Sequence, residues 1–148
     1  MIILKIVPQD PYALPDEVTF RRVVNHIVKA FPRCEIAEGL SDLPQFVDCG
    51  DDLEGVVCPL CGADIDSDDW SILMDASYDE EGFTSLKITT PCCHKPSPLN
   101  DLEYQAPCAF SCFEVDVAEP KKIPPTLLKD LEAIAGFPFQ TIVAEYKD

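Results

Sequence analysis

Positive charge is scarce in this chain. Its 148 residues carry 11 Lys and Arg against 27 Asp and Glu, a formal net charge of −16. Between Cys34 and Leu86 there is no Lys or Arg, while 15 acids fall within those 53 residues, so one stretch supplies nearly the whole charge. Proteins that grip nucleic-acid phosphates or anionic lipid need a basic footprint, and this absence excludes both as the primary role. Long apolar runs are missing too: no window approaches the 18 apolar residues of a membrane-spanning helix. The opening, Met1 to Pro8, has no basic leader region, no long apolar core and no small-residue cleavage site, so it reads as a strand and not as a signal peptide.

Catalytic motifs are also absent. There is no His-Glu-x-x-His, no P-loop and no Gly-x-Gly-x-x-Gly. The two histidines, in His26-Ile-Val and His94-Lys-Pro, do not supply the His-x-Glu of the zinc deaminases. His26 falls among the apolar residues of a predicted helix, as a boundary residue. His94 follows Cys93 without a third group to orient it as a base. The expectation is a non-enzymatic protein.

What is present is enough to fold. The chain is 47% hydrophobic, so the charge does not imply disorder, and the length fits one domain. Ile2–Val7 predicts a strand. Pro15-Asp16-Glu17 opens a helix, with proline in its first turn, acids complementing the helix dipole and an apolar face of Val18, Val23, Val24, Ile27, Val28 and Phe31. Cys34–Ala37 predicts a second strand. The last forty residues repeat this order. Ala109–Val117 is a strand, Pro124-Pro125 opens a helix with Leu127, Leu128, Leu131, Ile134 and Ala135 inward and Gly136 as its stop, and Phe139–Tyr146 closes. The fold class expected is α+β: two β-α-β units forming a ferredoxin-like antiparallel sheet, residues 1–44 and 108–148, with 45–107 inserted between them.

The inserted segment holds the chemistry. Cys58-Pro-Leu-Cys61-Gly62 is a metal knuckle, in which two thiolates two residues apart grip one ion and the turn aims N–H groups at the sulfurs. Pro91-Cys92-Cys93-His94 follows about thirty residues later, delivered by a predicted strand Phe83–Thr90. Two such clusters at strand ends make a zinc-ribbon-like site. Closed, four-coordinate Zn²⁺ of this kind is structural. Adjacent cysteines are an unusual ligand pair; Cys92 with Cys93 is the expected second pair, with one of them plus His94 or Cys108 left open. The competing readings are buried free thiols and a redox dithiol at Cys58/Cys61, which would begin a helix after a buried strand. Cys34, Cys49 and Cys112 have no partners at ligand spacing and read as packing residues. The clustering favours metal ligation over disulfides, hence a reduced, cytoplasmic chain. Asp64 to Asp69 lacks the glycine and the glutamate of a calcium loop; it reads as the start of a short helix capped by Asp66 or Ser67 and reaching Tyr78, with Trp70, Leu73, Met74 and Ser77 inward.

Phe46-Val-Asp-Cys-Gly50, Cys58-Pro-Leu-Cys-Gly62, Trp70, Phe83, Thr89-Thr-Pro-Cys-Cys93 and Leu99-Asn-Asp-Leu-Glu-Tyr104 together resemble a group of small acidic bacterial proteins, mostly uncharacterised. These carry a Cys-Pro-x-Cys-Gly knuckle and a later Pro-Cys-Cys. The resemblance covers mainly residues 46–113. Where this chain has His94, Cys108 and Cys112, that group tends to glycine, alanine and arginine. The resemblance therefore implies a zinc-ribbon module with Cys58, Cys61, Cys92 and Cys93 as the ligands.

Three functions compete. An acidic surface braced by a metal fits an inhibitor of a basic protein, such as the immunity protein of a bacterial toxin. Its contacts would come from Asp64, Asp66, Asp68, Asp69, Asp79, Glu80 and Glu81, and opposite charge would speed encounter. The alternative is a zinc-ribbon adaptor in transcription or translation. The third, an enzyme, needs an open metal position or the Cys93-His94 pair. The expectation is the first: a zinc-containing cytoplasmic protein that binds a basic protein partner, with neither nucleic acid nor membrane as its target.

Overall fold

The computed structural model describes residues 1–51 and 53–147. In chain order it runs β1 (Ile2–Pro8), α1 (Glu17–Ala30), β2 (Ile36–Val47), β3 (Val56–Val57), β4 (Asp64–Ile65), α2 (Ser67–Ser77), β5 (Lys87–Thr89), β6 (Pro96–Pro98), a 3₁₀ turn (Leu99–Asp101), β7 (Glu103–Tyr104), β8 (Ala109–Ala118), α3 (Leu127–Ala135) and β9 (Phe139–Glu145). The class is α+β, as expected. The main sheet has the order β2-β8-β1-β9, and every neighbouring pair is antiparallel.

Alternation along the strands decides which face is covered. Leu4 and Ile6 of β1 and Phe113, Val115 and Val117 of β8 point to one face, where α1 and α3 pack on them. Phe20 meets Phe113 edge-on at 5.2 Å. Asp16 caps α1 by accepting from the Thr19 N–H at 2.7 Å, so Pro15 lies outside the helix and not in its first turn. The buried stripe of α1 is Phe20, Val23, Val24 and Ile27, with Phe31 at its end. Val18 and Val28, expected inward, are 71% and 45% exposed; the 100° step places them off the line that Phe20 sets. Gly136 ends α3 in the left-handed region at φ 85°, as expected.

The second strand is the larger surprise. Cys34–Ala37 was expected; β2 instead runs to Val47, with its register against β8 broken between Leu40 and Gln45. Gly39, Ser41, Asp42 and Pro44 are poor strand formers, tolerated here because β2 is an edge and the irregularity absorbs the proline. Its extension carries Phe46 beyond the helices, where a second core gathers Val56, Cys58, Ile65, Phe83, Leu86, Ile88, Leu99, Leu102 and Phe110.

Leaving β2, the chain crosses the sheet on the face away from the helices. Asp48 accepts from Lys5 Nζ of β1 at 2.7 Å, and the Asp51 N–H donates to the Glu145 carbonyl of β9 at 2.8 Å. Gly50, at φ 77°, runs so close to Glu145 that a Cβ there would overlap the Glu145 carbonyl. A third apolar cluster, Val7, Val47, Cys49, Ala109 and Ile142, forms beneath this crossing. The segment beyond it builds two small sheets, β4-β3-β7 and β5-β6. The predicted strand Phe83–Thr90 is reduced to Lys87–Thr89; Phe83 instead bridges Tyr78. Among the described residues no helix is long and apolar enough to cross a membrane.

Candidate metal centre

Two tight turns face one another. The first, Cys58 to Ala63, joins β3 to β4; the second, Thr90 to Lys95, joins β5 to β6. Each is closed by the same pattern of hydrogen bonds. The Cys58 N–H donates to Ala63 O at 2.9 Å and the Gly62 N–H to Cys58 O at 2.9 Å. In the second turn, Thr90 N–H donates to Lys95 O at 2.9 Å and His94 N–H to Thr90 O at 3.0 Å. The fifth place of each turn has positive φ, 77° at Gly62 and 57° at His94. Each has proline second, at Pro59 and Pro91. Cys61 and Cys93 are therefore equivalent, Thr90 takes the place of Cys58, and Cys92 that of Leu60.

This geometry brings the Sγ atoms of Cys58, Cys61, Cys92 and Cys93 within 4.8 Å of one another. Cys58 and Cys93 are 3.9 Å apart, and Cys61 and Cys92 are 3.4 Å apart. A tetrahedral ion with Zn–S bonds near 2.3 Å sets its sulfurs about 3.8 Å apart, so the donor set fits such an ion. The side with Cys58 is buried and that with Cys93 half-buried, against the second core; Cys61 and Cys92 are exposed. Thr90 is fully buried, and its Oγ1 lies 3.1 Å from Cys93 Sγ. The Lys95 N–H donates to the same hydroxyl at 3.1 Å, which leaves the hydroxyl proton free to point at the sulfur.

The thiols are not equivalent electrically. Burial works to raise the Cys58 pKa, but N–H groups of Cys61 and Leu60 aimed at its sulfur bring it down to about 7. Local desolvation by the packed sulfurs and the neighbouring Cys61 and Cys58 push Cys92 up to about 12, although it lies at the exposed side of the cluster. Four close sulfurs resist a second negative charge, and a dication offsets that repulsion.

The other candidates lie elsewhere. His94 is exposed and outside the four-sulfur cluster. Cys49 is buried in the third apolar cluster, as its reading as a packing residue expects, and Cys108 Sγ lies 3.5 Å from its sulfur. Cys34 sits 4.0 Å from the Glu119 carbonyl, and Cys112 is buried in β8. His26 lies 3.3 Å from Asp130, bridging α1 to α3.

The seven acids are all exposed, and they form two groups. Asp64, Asp66, Asp68 and Asp69 surround the start of α2, while Asp79, Glu80 and Glu81 follow its end, about 16 Å away by helical rise. Two have local duties: Asp66 caps α2, accepting from the Asp68 N–H at 3.0 Å, and Asp79 accepts from the N–H groups of Glu81 and Gly82. Trp70, Leu73 and Met74 of α2 are half-buried against the second core.

Thr90 was not singled out in the sequence. The available signal was the alignment of Thr-Pro-Cys-Cys-His on Cys-Pro-Leu-Cys-Gly. Comparison of the chain with protein-family models, curated proteins and solved structures found no match.

Proposed function

We propose that this chain is a zinc-binding protein in which Cys58, Cys61, Cys92 and Cys93 hold a closed, structural ion, and that it acts without catalysis by docking on a basic protein, as an immunity protein docks on a toxin. The observation that carries the metal reading is the convergence of four sulfurs from two matching turns. All-sulfur donors at this spacing suit Zn²⁺ among the common divalent ions, and four protein ligands leave no open position for a substrate. Each turn is the tip of a two-stranded hairpin, which supports describing the insert as zinc-ribbon-like. The sheet order β2-β8-β1-β9 with both helices on one face supports a ferredoxin-like body.

The partner reading rests on charge. A four-thiolate zinc site is itself a net dianion, counting the ion with its deprotonated ligands, so the metal braces a negative region without neutralising it. Exposed acids at both ends of α2 would steer a basic partner and make the association rate fall with ionic strength. The test uses affinity capture of the partner from the source cell, followed by association kinetics at low and high salt. Substitution of Asp68, Asp69, Glu80 and Glu81, which spares the capping acids Asp66 and Asp79, should lower the rate. A rate unmoved by salt would overturn the electrostatic reading.

A further inference from the structure

Outside the metal centre, one other pair of thiols is held close among the described residues. Cys49 Sγ and Cys108 Sγ are 3.5 Å apart. We propose that they form a second, redox-active site, a dithiol that closes to a disulfide by exchange with a low-molecular-weight disulfide while the four-cysteine centre keeps its metal.

Their position is fixed by the sheet. Val47 and Ala109 are the last cross-strand partners of β2 and β8, and Cys49 and Cys108 lie just beyond them on the two chain segments that enter and leave the insert. The apolar cluster of Val7, Val47, Ala109 and Ile142 holds Cys49, which is 1% exposed, and Cys108 packs at its margin, half-buried and reachable. The two sulfurs, 3.5 Å apart, have to close to a bond of about 2.05 Å. The other thiols do not compete: four are engaged by the metal in the reading above, Cys34 faces a carbonyl, and Cys112 is buried in β8.

The steps balance. The Cys108 thiolate attacks the small disulfide RSSR, forming a mixed disulfide and releasing RS⁻, which takes up the proton that Cys108 lost. The Cys49 thiolate then attacks the Cys108 sulfur, and a second RSH leaves. The protein loses two electrons and two protons, and RSSR becomes two RSH. Burial, then the adjacent Cys49 and the charge of Asp48, push Cys108 up to about 12, so exchange is slow at neutral pH and quickens about tenfold per pH unit as thiolate appears. The new bond encloses residues 50–107, and with them the whole metal centre, in a covalent ring pinned to the sheet.

The test takes the full chain with its zinc content measured first, then treats it with oxidised glutathione at pH 7 and pH 8. Non-reducing peptide mapping should find one cross-linked pair, Cys49 with Cys108. Thiol titration after denaturation should fall by two, zinc should stay bound, and the rate should rise about tenfold between the two pH values. Cys108→Ser, at a half-buried position that spares the core, should abolish the cross-link, as should Cys49→Ala. An unchanged thiol count, a stable glutathione adduct on Cys108, or a bond among Cys58, Cys61, Cys92 and Cys93 with loss of zinc would overturn the proposal. A chain that carries no zinc at the outset would reject the metal reading alone, because the mapped cross-link is read independently of it.

Discussion

Thr90 stands in the second turn where Cys58 stands in the first, and its hydroxyl lies 3.1 Å from the sulfur of Cys93. The fourth sulfur of the cluster comes instead from Cys92, one residue from Cys93, at the place that Leu60 takes in the first turn. The second turn thus carries a threonine and two adjacent cysteines on the backbone that carries a Cys-x-x-Cys pair in the first.

The first prediction concerns that threonine. Thr90→Val keeps the shape and removes the hydroxyl, and should weaken metal binding about tenfold or more, as expected for a lost partner of a metal ligand. Thr90→Ser should keep most of the affinity. The double change Thr90→Cys with Cys92→Ser restores regular spacing to the second turn and should recover the metal content that Cys92→Ser alone loses. Competition with a zinc chelator reads all three.

Glycine substitutions should separate two kinds of backbone constraint. Gly62 has φ 77° and open space around it, so Gly62→Ala should cost about 1–2 kcal/mol, the penalty of the left-handed region alone. Gly50 has the same φ and also abuts Glu145, so Gly50→Ala should cost more, roughly 3 kcal/mol, by adding overlap to that penalty. Denaturant unfolding of the two variants gives the comparison.

On the open face of the sheet, Glu114 and Asp116 project side by side from β8, next to a groove also lined by Gly39 and Cys112. Burial, then the hydrogen bond and charge of Asp116, push Glu114 up to about 8 from a usual value of 4.5. Between those values the folded chain holds a proton that the unfolded chain has released, so stability should fall as pH rises from about 4.5 to about 8 and level off above. Glu114→Gln should flatten this slope. Unfolding free energy against pH tests it, and an unchanged slope in the variant would reject the assignment.

Lys5 is the buried cation of the same face, donating to Asp48 and to the Tyr146 hydroxyl at 2.7 Å each. Burial alone would lower its pKa, but these two partners override it and raise it to about 12. Its stabilising share is complete below the unfolded value of about 10.5 and is lost as pH rises through 12. Lys5→Met should cost about 1–3 kcal/mol, less than a fully buried pair because Asp48 is partly solvated. It should also loosen the crossing of residues 48–51, visible as faster amide exchange at Asp51.

Elements with one clear period were legible in the sequence. The helices around Val23 to Ile27 and Leu127 to Leu131 and the strands at Ile2 and Phe139 follow directly from apolar spacing and their caps. β2 was not legible beyond Ala37, because its residues Gly39 to Pro44 carry no strand signal; their pairing is imposed by β8 and accepted only at an edge. Phe20 was missed because Val18 offered an equally apolar start to the stripe of α1. The knuckle at Cys58 and Cys61 declared itself by spacing. The second turn did not, since Thr90 hid the repeat and adjacent cysteines have no regular spacing to read. The meeting of Cys49 with Cys108 spans 59 positions and depends on the β2–β8 register, which no local pattern encodes.

Four thiolates closing around one ion would leave a spectroscopic signature. The most direct measurement is the absorption spectrum of the cobalt-substituted chain, taken with the zinc content of the protein as purified. A closed four-sulfur centre should give one equivalent of zinc, intense visible bands of tetrahedral cobalt with strong sulfur-to-metal charge transfer, and loss of both in Cys58→Ser. Substoichiometric zinc, or the weak bands of a six-coordinate oxygen site unaffected by Cys58→Ser, would contradict it.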